Sequence, residues 1–318
     1  MDTAIAIVSA AGLVQGVAAG SVTINATTQQ TQIVGTATVT VTSPPPPPPP
    51  PPPAGTETLI AAGDIAVCPT SFDEATADLI DNIPGTVALL GDNAYPSGTT
   101  ANYANCYHPS WGRHKARTRP SIGNHEYGAG ATPYFAYFGA AAGPAPQGYY
   151  SYDLGNWHVV VLNSNCVNVS CSVGSPQEKW LRADLAATTK ACILAYWHHP
   201  RFSSDVSHGS NTTVAPFWNA LYQYRADVVL NGHAHVYERF GLQNPSAAAD
   251  ANGIREFIVG TGGKSPFYGW GTIKANSQVR HNATFGVLKL TLGAGTYSWN
   301  FVPVAGKTWT DSGTTACH

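Results

Sequence analysis

Ten consecutive prolines, Pro44 to Pro53, divide this chain in two. Proline has a fixed φ and no backbone N–H, so such a run can join neither a helix nor a sheet. It is expected to form a stiff polyproline II rod about 30 Å long. Folding must then take place on either side of it, in a short segment over 1–43 and a long one over 54–318. The rod reads as a spacer. A docking motif for a proline-recognising partner is the alternative.

In the short segment, Val22, Ile24 and Ala26 alternate with Thr23 and Asn25, and Thr36 to Thr42 repeats the same period of two. Both stretches predict half-buried strands. The stretch from Ile7 through Gly12-Leu13-Val14, Gly16, Ala18-Ala19-Gly20 and Val22-Thr23-Ile24 resembles the C-terminal half of bacterial group-two Ig-like domains. An Ig-like sandwich takes about 100 residues, so residues 1–43 are expected to be part of one, cut short by a truncated gene or a late start codon. Residues 4–19 are apolar enough for a signal peptide, but the positive flank is missing and Asp2 stands there instead. No run is long and apolar enough to predict a membrane-spanning helix.

Charged residues are only 11 % of the chain, the formal net charge is −2, and Lys and Arg form no cluster. Electrostatic capture of nucleic acid is therefore not supported. Positive charge for an anionic substrate would have to come from bound metal. There are six cysteines, an even number that suits disulfides and an oxidising compartment. Cys166 and Cys171 are close enough in sequence to pair. Cys68 with Cys106 and Cys192 with Cys317 complete the expected set, and buried free thiols are the alternative.

The long segment alternates strands and helices. Thr58 to Gly63 is an apolar run ending at Asp64, and Thr86 to Leu90 is another ending at Asp92; Phe72 to Asn82 has helical spacing between them. This is one β-α-β unit with both aspartates at strand C-termini, where ligands collect in α/β sheets. Arg119 to Ile122 leads into Asn124 in the same way. Tyr149–Leu154 and Trp157–Asn163 read as a hairpin. Ser175-Pro176-Gln177-Glu178 is a capping box that opens a helix to Ala187. Ile193 to Trp197 runs into His198, and Ala226 to Leu230 into Gly232-His233. Arg255–Val259, Phe285–Leu292 and Thr296–Val302 read as antiparallel strands.

Asp64, Asp92, Tyr95, Asn124, His198, His233 and His235 thus all follow short buried strands. Singly, each reads as a turn, cap or packing residue. Together they form a ligand set for two metal ions, a device for displacement at phosphorus. Asp92 is the natural bridge, with one oxygen for each ion. Tyr95 supplies a hard anionic phenolate that suits Fe(III). His233 and His235, two apart, would project to one side of an extended segment, one toward each ion. His199 is expected to point elsewhere, as wall rather than ligand. His108, His114, His158, His281 and His318 read as surface or packing residues, and Glu126 with Arg239 as an orienting ion pair.

Gly63-Asp64, Gly91-Asp92-Asn93-Ala94-Tyr95, Gly123-Asn124-His125-Glu126, His198 and Gly232-His233-Ala234-His235 resemble, in order, the five motifs of calcineurin-like metallophosphoesterases. Tyr95 points to the purple acid phosphatase branch. Much of the wider family has a ligating histidine where this chain has Ala66, and Tyr95 would fill that vacancy. The resemblance covers about residues 57–303. It implies a four-layer α/β/β/α sandwich of two mixed sheets. It also implies one iron held by Asp64, Asp92, Tyr95 and His235, and a second ion, Fe, Zn or Mn, held by Asp92, Asn124, His198 and His233. His125 and His208 resemble the substrate-side histidines, able to donate a proton or hydrogen-bond the phosphate.

The leading reading is a secreted or cell-surface phosphatase that hydrolyses phosphate monoesters of small molecules by in-line attack of metal-activated water. The same centre would suit a phosphodiesterase or nucleotide hydrolase. A non-catalytic surface adhesion protein is the third reading. The rod and the N-terminal arm suggest a wall or matrix as the attachment. The loop at 127–148 is expected to form one wall of the site.

Overall fold

The computed structural model describes residues 5–9, 13–16, 20–27, 34–41 and 55–318. The expected rod at 44–53 lies outside the described residues. The chain separates into two compact units, Met1–Pro49 and Pro50–His318.

In the first unit, β1 (Ala6–Val8) pairs antiparallel with β2 (Val14–Gly16), and β3 (Gly20–Thr27) with β4 (Val34–Val41). The alternation of Val and Thr yields strands as expected. Of β3, however, only Val22 is buried, while Ala26 is exposed. A hairpin alone offers no second layer against which to bury its apolar side.

The second unit holds two mixed sheets. The strands of the first are β5 (Glu57–Ala62), β6 (Thr86–Leu90), β7 (Thr118–Ser121), β15 (Gly286–Leu292), β16 (Thr296–Pro303) and β17 (Ser312–Ala316), in the order β17-β16-β15-β5-β6-β7. Strands β5, β6 and β7 are parallel. The second sheet runs β14-β12-β13-β11-β10-β9-β8. Its strands are β8 (Tyr150–Leu154), β9 (Trp157–Val161), β10 (Cys192–Tyr196), β11 (Val228–Asn231), β12 (Tyr237–Phe240), β13 (Arg255–Val259) and β14 (Ser277–His281). Here β9, β10, β11 and β13 are parallel. Strand β13 therefore departs from the antiparallel reading on one side: it pairs parallel with β11 and antiparallel only with β12. A fully buried strand carries no pattern that reports its partner's direction.

Side chains along β10 show how the layers stack. Leu194 and Tyr196 enter the core shared with Leu59, Ala61 and Leu288 of the other sheet. Ile193, Ala195 and Trp197 face the opposite way, onto Leu181 and Leu185 of α4 (Pro176–Ala187) and Phe217, Trp218 and Leu221 of α5 (Ala215–Gln223). Both faces are covered, so each buried side chain of this size contributes about 1.5–3 kcal/mol. On the far side, α1 (Phe72–Asp81) packs against β15. The four-layer sandwich is thus present. Ser175 Oγ accepts the Glu178 N–H and caps α4 as its sequence predicts.

All six cysteines are paired, as Cys68–Cys106, Cys166–Cys171 and Cys192–Cys317, which removes the free-thiol alternative. The 127–148 segment is not all loop: it contains α3 (Thr132–Phe138), preceded by a short α2 (Thr100–Asn102) earlier in the chain, and α3 sends Tyr134 and Phe138 into the core.

Candidate metal centre

The parallel strands of both sheets end at one place. Asp64 follows β5, Asp92 follows β6, Asn124 follows β7, His198 follows β10, and His233 follows β11. Backbone bonds zip the turns together: Asp64 N–H donates to Gly91 O (3.1 Å), Gly63 N–H to Val259 O (2.9 Å) and Gly232 N–H to His198 O (3.1 Å). The glycine before each ligand has a steric reason. A Cβ on Gly91 would lie 2.6 Å from His198 Nδ1, and one on Gly123 would lie 2.1 Å from Asp92 Oδ1. Asp64, Asp92 and His233 hold positive φ values of 60°, 52° and 69°. Non-glycine residues keep such backbones only where surrounding structure imposes them, commonly at functional sites.

Two backbone donors orient the carboxylates. Asp64 Oδ2 accepts His233 N–H (2.7 Å), and Asp92 Oδ1 accepts His125 N–H (2.9 Å). The other oxygen of each faces inward. Tyr95 hydroxyl lies 2.9 Å from Asp64 Oδ1, 3.0 Å from Asp92 Oδ2 and 3.4 Å from His235 Nε2. His198 Nε2 lies 3.2 Å from the same Asp92 Oδ2, 3.0 Å from Asn124 Oδ1 and 3.1 Å from His233 Nδ1. Two donor clusters therefore meet at one atom, Asp92 Oδ2. The sequence reading gave one oxygen of Asp92 to each ion; here both clusters face Oδ2, and Oδ1 accepts the His125 N–H.

The chemistry of these atoms fits cations. His198 Nδ1 faces Leu90 O (2.8 Å) and His235 Nδ1 faces Pro266 O (3.2 Å). A carbonyl only accepts, so both Nδ1 atoms carry hydrogen, and each ring in its neutral form turns the Nε2 lone pair inward, where a cation would take the place of a second proton. Lone pairs then outnumber protons: one phenolic hydrogen faces two carboxylates, and His198 Nε2 faces an amide oxygen, a carboxylate and a second imidazole. The same imbalance governs the titrations. Burial would raise Asp92, but the His198 and His125 charges override it and hold the carboxyl far below the usual range. Burial opposes charge on His198, yet Asp92 outweighs it and raises the imidazole to about 9. Burial, then the charge of His198, drives His233 far below its ordinary value, so its ring is neutral and able to serve as a ligand. Burial and the negative charges of Asp64 and Asp92 raise the Tyr95 phenol; a cation beside it would reverse that electrostatic contribution.

The segment carrying His233 and His235 is not extended. Ala234 N–H donates to Gly232 O (2.8 Å) and Val236 N–H to Ala234 O (2.7 Å), which puts each histidine at the centre of a three-residue turn. The turns send His233 to one cluster and His235 to the other. His199 also departs from expectation. Its ring lies 4.4 Å from His233 and 4.9 Å from His198, because β10 has ended and strand alternation no longer applies. The two substrate-side candidates lie at the rim: His125 Nε2 is 3.7 Å from Asp92 Oδ2, and the His208 ring is 4.1 Å from His233.

Glu126 and Arg239 do not pair. Arg239 binds Asp311 (2.7 Å), while buried Glu126 accepts backbone N–H groups from Asp92, Asn93, Ala94 and Gly123. Burial and the charge of Asp92 push its carboxyl up, against the N–H donors that favour the charged form. Glu126 therefore ties the second motif to the third. Sequence reasoning also passed over Tyr268, stacked 4.5 Å from His235, and Asp205, whose Oδ2 accepts the His208 N–H (2.6 Å). Neither lies in a motif. Of the remaining histidines, His158 is held by Asp153 and Asp184, and His281 stacks on Trp309, as packing residues should.

Comparison with known proteins follows the same line. The family model described as Calcineurin-like phosphoesterase matches residues 58–237. Purple acid phosphatase 15 of Arabidopsis thaliana is 27 % identical over 218 residues, covering 57 % of this chain and 40 % of that protein. Purple acid phosphatase 23 of the same plant is 30 % identical over 216 residues, covering 56 % and 46 %. The chain thus spans less than half the length of these relatives. Among solved structures, a purple acid phosphatase from yellow lupin (Lupinus luteus) seeds shares the fold with a TM-score of 0.67 at 18 % identity, over 82 % of this chain and 54 % of that one.

Proposed function

The chain belongs to the calcineurin-like phosphoesterase family, and from that premise we propose that it is a secreted, binuclear-metal phosphomonoesterase of the purple acid phosphatase type. The observation that carries this reading is the position of Asp92 Oδ2, within 3.0 Å of Tyr95 hydroxyl and 3.2 Å of His198 Nε2. Asp64, Tyr95 and His235 with Asp92 would hold one ion, taken as Fe(III) because a phenolate is a hard anionic ligand. Asn124, His198 and His233 with Asp92 would hold the other, Fe(II), Zn or Mn. When bound, such a pair supplies the charge that polarises a phosphoryl group and activates water.

The chain's own residues do the rest. His125 Nδ1–H donates to Pro96 O. That contact turns Nε2 toward the rim, where the ring, once it carries a second proton on Nε2, would hydrogen-bond a phosphoryl oxygen or hand that proton to the leaving alkoxide and return to the Nδ1–H form. Asp205 holds the backbone of His208 from Ser207 to Gly209 and keeps that ring over His233. Support for secretion is the complement of three disulfides. In this reading residues 1–43 are a partial Ig-like arm, 44–53 a spacer and 54–318 the catalytic domain, with the arm toward a wall or matrix.

The test combines elemental analysis with parallel assays on p-nitrophenyl phosphate and bis(p-nitrophenyl) phosphate. Two metal ions per chain and faster cleavage of the monoester are expected. Faster cleavage of the diester would make the protein a phosphodiesterase. A metal-loaded protein inert toward both would leave the adhesion reading.

A further inference from the structure

We propose that the cleft beside Asn124 and His199 is a leaving-group subsite for a neutral, polyhydroxylated alcohol, so that sugar and polyol phosphates are the preferred esters. This inference rests on the phosphatase reading above. The cleft encloses about 360 Å³, within the range of small-molecule sites. It opens onto the donor clusters, because two of its lining residues belong to them or touch them. Asn124 Oδ1 lies 3.0 Å from His198 Nε2, and the His199 ring lies 4.4 Å from His233.

The other walls decide the chemistry. They are formed by the disulfide loop that begins at Cys166 and by Asn211 and Thr213. The lining combines amides and hydroxyls with His199, the Cys166 sulfur and Val167, and has no carboxylate, ammonium or guanidinium. A leaving group carrying a carboxylate or further phosphates would find no charged side chain in this lining to pair with it. A nucleobase would want a flat ring to stack on, and the lining has no Phe, Tyr or Trp. His199 is already packed between His198 and His233.

A sugar or polyol matches what remains. Asn211 Oδ1 accepts both the N–H (2.9 Å) and the hydroxyl (2.6 Å) of Thr213, which leaves its Nδ2 as a free double donor among the described residues. The Asn168 side chain makes no hydrogen bond to any described residue, while its backbone N–H is anchored to Asn165 O (2.8 Å). Asn165 Nδ2 is in turn held by Ile122 O (3.2 Å) and Asn163 Oδ1 (3.0 Å). The five-residue separation of Cys166 and Cys171 closes this loop, so its backbone is held in place before substrate arrives.

The experiment measures kcat/KM of the metal-loaded full chain on glycerol 2-phosphate, glucose 6-phosphate, phosphoenolpyruvate and ADP. The polyol and sugar esters are expected to lead by about tenfold. Asn168→Arg places a cation in the cleft and should shift the ratio toward phosphoenolpyruvate by about fivefold or more. Asn211→Ala should lower the rate on glucose 6-phosphate relative to p-nitrophenyl phosphate, and it keeps the test open if the first variant fails to fold. A wild type that prefers phosphoenolpyruvate or ADP, or ratios unmoved in both variants, would overturn the subsite. Wild-type turnover of p-nitrophenyl phosphate reports the parent reading separately: its absence overturns the phosphatase assignment, and its presence with unmoved ratios overturns the subsite alone.

Discussion

Gly123 lies so close to Asp92 that a Cβ on it would stand 2.1 Å from Asp92 Oδ1 and 2.2 Å from Asp92 N. The third motif is therefore wedged against the carboxylate of the second. Gly123→Ala should displace Asp92 and lower both metal content and phosphatase rate, the latter by about a hundredfold, with far-UV circular dichroism retained. Gly35→Ala, where an added Cβ meets only Ala26 O at 4.0 Å, is the control for the substitution without a clash. Equal metal content in the two variants would contradict the wedge.

Glu126 should matter to folding as much as to chemistry. Glu126→Ala leaves the N–H groups of Asp92, Asn93 and Gly123 without the acceptors they have at 2.8–3.0 Å. At about 1–3 kcal/mol for each unsatisfied buried donor, the loss should reach roughly 3 kcal/mol or more in urea unfolding. Glu126→Gln keeps one acceptor oxygen and should recover part of it. An unchanged urea midpoint for the alanine variant would refute the clamp.

Colour tests the ligand assignment of Tyr95. A tyrosinate on Fe(III) absorbs visible light, so the purified protein is expected to look pink to purple. Tyr95→Phe should abolish the band while leaving Asp64 and Asp92 in place. A band that survives the substitution would assign the colour to another ligand.

Stability should depend on pH through His158. Its Nδ1 is 3.0 Å from Asp153 Oδ1 and its Nε2 2.9 Å from Asp184 Oδ2. Burial opposes the charge, but the two carboxylates outweigh it and raise the imidazole above its ordinary value. A raised folded-state value means the stabilisation is complete below the unfolded pKa of about 6.5 and is lost as pH rises through the folded value. The difference in urea midpoint between wild type and His158→Gln should be largest at pH 5 and shrink toward pH 9. A difference that does not vary with pH would exclude this ion pair as its source.

The disulfides should rank by the length of chain they close. Cys192 and Cys317 are 125 residues apart, and Cys166 and Cys171 only five. Chain entropy predicts about 5 kcal/mol for the first and about 2 kcal/mol for the second. Replacing Cys192 and Cys317 together by Ala should therefore lower thermal stability more than the same change at Cys166 and Cys171. The reverse order would show that the short loop is held by other contacts.

Much of the site was legible because its elements are local. An apolar run followed by Gly-Asp, Gly-Asn or Gly-His announces a strand that ends on a residue of the candidate centre, and the capping box at Ser175 announces α4. The glycines are demanded by contacts that no window of sequence contains. Gly91 makes room for the His198 ring, and Gly123 for Asp92. Glu126 sat in plain view inside a motif, yet its partners are backbone N–H groups, which every residue but proline carries. The two histidine turns were missed because a residue spacing of two suits both a strand and a pair of three-residue turns.

The amino-acid sequence by itself determined which side chains stand at strand ends and, through its cysteines and prolines, where the chain is tied and where it is divided. Only the tertiary structure decided that β5, β6 and β7 belong to one sheet and β10 and β11 to the other, and that Asp92 Oδ2 lies between Tyr95 and His198. It also decided that the loop beginning at Cys166 lines the cleft beside Asn124 and His199. The reason is separation: Asp64 meets His233 across 169 residues and Tyr95 meets His235 across 140. Contacts of that range are set by the stacking of two sheets over a common core, which local periodicity does not encode.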